Sequence, residues 1–158
     1  MANTQSMCTS FLGELMTATH NFGTAPIRAA TTADTFKAAL YLTSATINAA
    51  TTAYSATGEV SGTNYTAGGV TVTNATAPLS TNSSATAGVG YWTPSASITY
   101  TTVTLSTAFD CVLIYNSTQS NKAVSAHTFG SQTITAGTFT LTMPSNTTTT
   151  ALLRLATT

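Results

Sequence analysis

Thirty-nine of the 158 residues are threonine, and only eight carry a charge, four Lys+Arg against four Asp+Glu. That pairing constrains the fold more than any motif does. Threonine is β-branched, so it favours strands, and its hydroxyl keeps an exposed strand face soluble without charge. A chain of this length can bury roughly 68–70% of its unfolded surface around one core. Hydrophobic residues make up 42%, enough for that core. Charged residues are 5%, against about 25% in an average domain. Four scattered cations cannot release enough counterions for strong nucleic-acid binding, and no polybasic patch is present to hold an anionic membrane. No apolar run approaches the ~20 residues of a membrane-spanning helix. Nothing at the N-terminus reads as a signal peptide, since Phe11–Met16 is short and contains Glu14. Synthesis in a cytoplasm is therefore expected.

One segment has the helical period. Cys8, Phe11, Leu12 and Leu15 fall at i, i+3, i+4 and i+7, with Thr9 or Ser10 to cap the start and Asn21, Gly23 and Pro26 to end it. This stripe packs on its own domain or docks on a partner subunit. Residues 1–33 are accordingly read as a helix and connecting arm, and 34–158 as a single β domain.

From residue 35 the period is 2. Phe36, Ala38, Leu40 and Leu42 alternate with Lys37, Ala39 and Tyr41, which predicts a half-buried strand. Residues 43–55 read as a long loop. Gly68-Gly69 predicts a turn at positive φ before a short strand at Val70–Thr73. A phosphate cradle there would need a following helix and a Lys-Ser/Thr pair, and has neither. Ala75–Gly90 reads as a surface loop. Beyond it, Ile98 and Tyr100 face one way and Val103 and Leu105 the other, so a bulge is expected at Thr101–Thr102. Cys111–Tyr115 is an unbroken apolar run, a strand buried on both sides. Then come a turn at Asn116–Asn121, a strand at Lys122–Phe129, a turn at Gly130, a strand over Thr138–Met143 and a closing edge strand at Leu152–Leu155. The expected fold is mainly β: an antiparallel β-sandwich or barrel of about seven strands with one short N-terminal helix.

Candidate chemistry is sparse. Cys8 and Cys111 have no metal-ligand spacing, and reduced, semi-buried thiols are expected rather than one bridge. His20 and His127 have no ligating neighbour within five residues. Cys8 or Cys111 with His127 and Asp110 would supply the residue types of a nucleophilic site, without a motif around them. Glu14 and Glu59 as an acid/base pair lack any spacing argument. No catalytic, cofactor-binding or metal-binding residue is assigned, no cofactor is expected, and an enzyme is not. Tyr91-Trp92 is the place where exposed aromatics would stack on sugar, the basis of a carbohydrate-binding alternative.

The chain resembles small virion structural proteins of tailed bacteriophages. The matching pieces are Met7-Cys-Thr-Ser-Phe11, Glu14-Leu-Met16, His20-Asn-Phe22 and Asp34-Thr-Phe-Lys-Ala-Ala-Leu-Tyr41. They continue through Tyr54–Gly69, Ile114–Ser117, Asn121–Val124, Gly137–Pro144 and Leu153-Arg154, with Glu59–Gly69 the most specific. The resemblance implies a head decoration, or cement, protein that binds the major capsid protein on the capsid exterior and stabilises the shell. It carries no catalytic residues. A neck, tail or head-fibre component is the alternative within virions. Pro26–Ala33 is extra to the pattern and bears on how the helix joins the first strand. With so few charges, self-association must rest on aromatic and aliphatic surface. A homotrimer is expected by analogy with decoration proteins on threefold positions.

Overall fold

Strand alternation produces two antiparallel sheets in the computed structural model, which describes residues 3–16, 19–22, 33–73, 77–81 and 88–156. The elements are β1 (Ser6–Met7), α1 (Thr9–Met16), β2 (Phe36–Leu42), β3 (Val70–Thr71), β4 (Leu79–Ser80), β5 (Val89–Trp92), β6 (Ile98–Asn116), β7 (Lys122–Leu141) and β8 (Leu153–Ala156). One sheet runs β1-β7-β6-β2-β3 and the other β4-β5-β8. The smaller sheet brings Trp92 and Leu153 into the core beside Phe22 and Phe36. The Trp92 ring lies 4.8 Å from Phe22 and 6.2 Å from Phe36, centroid to centroid. The arrangement is sandwich-like, and its sheets do not close into a barrel. No helix among the described residues is long and apolar enough to cross a membrane.

Several local expectations hold for a stated reason. Cys111–Tyr115 is buried throughout, because β6 is an inner strand whose two faces are both covered by the core cluster. The φ angles of Gly68 and Gly69 are 88° and 73°. A Cβ on Gly69 would come within 1.7 Å of the Ala38 carbonyl oxygen, so the turn needs glycine for space as well as for φ. Thr102 has a φ of 54°, and the register slips between Tyr100 and Val103, where the change of face predicted a bulge.

Three readings are corrected. β2 is not half-buried: Phe36, Ala38, Ala39, Leu40 and Tyr41 all have no exposure. The segment 43–69 folds back over one face of the sheet, so Lys37-side positions are covered as well. Gly130 is not a turn, because β7 runs unbroken from Lys122 to Leu141. Between the pairs Phe109↔Gln132 and Cys111↔Thr128, β7 advances four residues while β6 advances two. The glycine therefore marks a bulge, the other structure that a lone Gly in a strand pattern signals. Finally, the 75–90 stretch is not all loop, since it contains β4 and the start of β5.

The N-terminal segment shares the core of the β domain. Cys8, Phe11 and Phe22 are buried in the same cluster as β2 and β6, and Leu15 packs against it. β1 extends the larger sheet by pairing Ser6 and Met7 with Ala126 and Ser125. The helix ends at Met16, before Asn21. Gly23, Pro26 and all of Pro26–Ala33 except Ala33 lie outside the described residues.

Candidate functional site

Two clusters of polar and titratable side chains stand out among the described residues, one on each face of the larger sheet. Asn116, the last residue of β6, organises the first. Its Oδ1 accepts from the backbone N–H groups of Thr118 and Gln119, at 3.1 and 3.2 Å, which starts the hairpin turn. Its Nδ2 then donates to His20 Nδ1 at 3.0 Å and to Asp34 Oδ2 at 2.7 Å. Beyond His20, Nε2 meets Glu14 Oε2 at 2.6 Å, and Lys122 Nζ donates to Glu14 Oε1 at 2.7 Å. Asp34 also accepts from the Asn21 N–H at 2.9 Å and from Gln119 Nε2 at 3.1 Å. Burial pushes the Glu14 carboxyl up, but its hydrogen bonds from Lys122 and His20 outweigh this and hold it below the ordinary carboxylate range.

Glu59 organises the second. Tyr54 Oη donates to Oε2 at 2.6 Å, and Tyr65 Oη and the Gly68 N–H donate to Oε1 at 2.7 and 2.8 Å. Tyr115 Oη bonds the Gly68 carbonyl, Tyr41 Oη the Ser55 carbonyl and Tyr100 Oη the Ala38 carbonyl. Burial, with Glu59 adding to it, holds the Tyr54 and Tyr65 hydroxyls well above the ordinary phenol range, so they stay donors. Tyr41, Tyr115 and Tyr65, the last by accepting from the Leu40 N–H, thus fasten segment 43–69 to the sheet, while Tyr54 braces the segment internally and Tyr100 ties β6 to β2. Glu59 thus fastens the stretch that it opens, Glu59–Gly69, at Tyr65 and Gly68.

Tyr115 and Asn116 are successive strand residues and point to opposite faces. The sheet therefore separates Glu59 from Glu14, and no acid/base pair forms. Nor does the Cys–His–Asp set assemble. Cys111 pairs with Thr128 and His127 with Val112, so thiol and imidazole also lie on opposite faces. Asp110 instead accepts from Asn3 Nδ2 at 2.6 Å. Both cysteines are buried and free. Burial pushes Cys8 up to about 11 and Cys111 up to about 12, so each is a thiol at neutral pH. Among the described residues no three His, Cys, Asp or Glu side chains lie together as a metal site would require.

Sequence reasoning missed one pair. Ser125 Oγ lies 2.9 Å from His127 Nε2, two residues apart on β7 and on one face. The i, i+2 spacing in a strand was the signal available. Burial pushes His127 down to about 4, so the ring is a neutral hydrogen-bonding partner at pH 7. Ser125 is fully buried, which keeps its hydroxyl from a substrate.

Trp92 is 2% exposed and cannot stack on a sugar, which removes half of the carbohydrate-binding pair Tyr91-Trp92. Its ring instead forms the inner wall of an apolar groove between α1 and the smaller sheet, along with Phe11, Leu15, Gly90 and Leu155. No family model matches the chain, and no curated protein or solved structure matches it.

Proposed function

We propose that this chain is a non-enzymatic bacteriophage structural protein that binds the capsid exterior, contacts the major capsid protein and stabilises the shell. The observation that carries the reading is where its side-chain chemistry goes. Glu14, His20, Asp34, Glu59 and Lys122 are all tied into hydrogen bonds that hold the fold together. What the described residues leave at the surface is largely threonine, few charges and apolar grooves. A coat protein needs that combination, because many weak contacts suffice when copies act together. A near-neutral surface also repels neither an acidic shell nor its own neighbours. The resemblance set out above, running through most of the chain, supplies the phage context. Self-association into a homo-oligomer belongs to the same reading.

Quantitative mass spectrometry of the particles carrying the chain tests it. The expected result is a copy number comparable to that of the major capsid protein or its capsomers. A single ring of copies would transfer the chain to the neck, tail or head fibre and overturn the decoration role. Complete absence from particles would overturn the virion reading.

A further inference from the structure

The Ser125–His127 pair on β7 leaves one hydrogen-bond donor unused. Ser125 is fully buried, and among the described residues its hydroxyl has one partner, His127 Nε2 at 2.9 Å. Were Nε2 the donor, the Ser125 proton would be buried without an acceptor. The hydroxyl therefore donates to Nε2, and the ring proton sits on Nδ1. No described residue accepts from that Nδ1–H. The two nitrogens of an imidazole point in nearly opposite directions, so Nδ1–H is turned away from Ser125.

His127 also lines an apolar cleft of about 280 Å³. The floor is Ile98, Val112 and Ile114, all buried, and the walls include Phe129, Leu141 and Leu152. Ser125 does not line this cleft, so the ring turns its serine-bound edge away from it and its free edge towards it. No charged residue lines it either. Threonine hydroxyls at the rim can donate or accept and so select little, whereas Nδ1–H can only donate.

We propose that this cleft binds a small uncharged molecule, an apolar ring carrying one hydrogen-bond acceptor such as a ketone oxygen, which takes the Nδ1–H of His127. Volume sets the size of the ligand. The cleft exceeds the roughly 150 Å³ that holds a benzene ring and lies near the lower end of ligand pockets, about 300–1,000 Å³. Charge sets its class. Burial pushes His127 down to about 4, so the ring offers a neutral donor and no cation. A carboxylate would enter without a counter-charge. A purely apolar ring would cover Nδ1–H and leave it unpaired. A ketone avoids both costs. Ser125 is the positioning residue, because its hydroxyl fixes the tautomer that donates. The site goes beyond the capsid reading and does not depend on it.

NMR on the full chain with isotope-labelled histidine tests it, using acetophenone, α-methylstyrene and benzoate as probes. α-Methylstyrene replaces the ketone oxygen of acetophenone by a methylene group, and benzoate carries a carboxylate. Without a probe, His127 should show a protonated Nδ1 and a bare Nε2. The opposite tautomer overturns the proposal. Acetophenone should shift the methyl signals of Ile98, Ile114 and Leu141 together with the Nδ1 signal. α-Methylstyrene should shift the methyls and move Nδ1 far less, and benzoate at equal concentration should move neither. His127→Phe should lower the ratio of acetophenone to α-methylstyrene affinity about three- to tenfold, the loss expected for one hydrogen bond. Taking the ratio cancels the difference in hydrophobicity between the two probes. An unchanged ratio, or no methyl shift with either neutral probe, overturns the site. Benzoate binding as well as acetophenone overturns the requirement for an uncharged ligand. If His127→Phe does not fold, the wild-type Nδ1 signal decides: equal shifts from both neutral probes overturn the donor role.

Discussion

Asn116 has one orientation open to it, and that orientation determines the tautomer of a histidine 96 residues away in sequence. Backbone N–H groups can only donate, so the Asn116 oxygen must face Thr118 and Gln119 and its amide must face His20 and Asp34. His20 Nδ1 then accepts, and Nε2 carries the proton directed at Glu14. Asn116→Asp replaces the donating amide with an oxygen and sets a carboxylate 2.7 Å from Asp34. We expect a loss of about 3 kcal/mol in urea unfolding, the range for breaking a buried charged network. His127 makes a second residue-scale prediction, in pH. Its folded value, about 4, lies below its ordinary 6.5. The unfolded chain therefore binds the extra proton between those values, and stability falls as pH drops from about 6.5 towards 4. Replacing the ring by glutamine should flatten that part of the pH–stability curve measured by urea unfolding. An unchanged slope would show that other groups set it.

At the scale of elements, the β6/β7 hairpin and segment 43–69 use glycine in opposite ways. Gly69 lies where φ is positive and where a Cβ would strike the Ala38 carbonyl. Gly130 lies in a bulge with nothing within 4 Å of the added carbon. Gly69→Ala should therefore cost about 3 kcal/mol or more, visible as a melting temperature lower by roughly 10 °C. Gly130→Ala should be neutral or raise stability by about 0.5–1 kcal/mol, because it reduces the freedom of the unfolded chain. Equal effects at the two sites would contradict the bulge. The bulges also guard the outer edge of β7. Residues 128–141 hold no Lys, Asp, Glu, Arg or Pro, so irregular register does the work that charge and proline do elsewhere against edge pairing.

For the whole molecule, eight charged side chains leave little for electrostatics to do between copies. Two of them, Glu14 and Lys122, pair within one chain. In the homo-oligomer proposed above, contacts between copies would come from apolar surface, backbone hydrogen bonds and shape. The oligomer should persist in 1 M NaCl, where screening reaches down to about 3 Å. Dissociation by salt alone, seen by light scattering, would mean that ion pairs hold the interface.

The amino-acid sequence by itself determined what depends on near neighbours. The buried run at Cys111–Tyr115, the Gly68-Gly69 turn and the bulge at Thr102 all follow from side-chain alternation or from the φ that a residue must adopt. Those constraints act within a few residues, so they can be read in order along the chain. Tertiary structure alone decided whether Gly130 made a turn or a bulge, because both begin with the same local signal and only the pairing of Phe109 with Gln132 separates them. It decided that β2 is covered on both faces, since its second cover is a loop with no period of its own. It also decided the polar clusters. Asn116 reaches Asp34 across 82 residues of sequence, and no spacing along the chain encodes that meeting. Trp92 became a groove wall rather than a sugar platform for the same reason: burial belongs to what packs against a side chain, and Phe22 and Phe36 arrive there from distant parts of the chain.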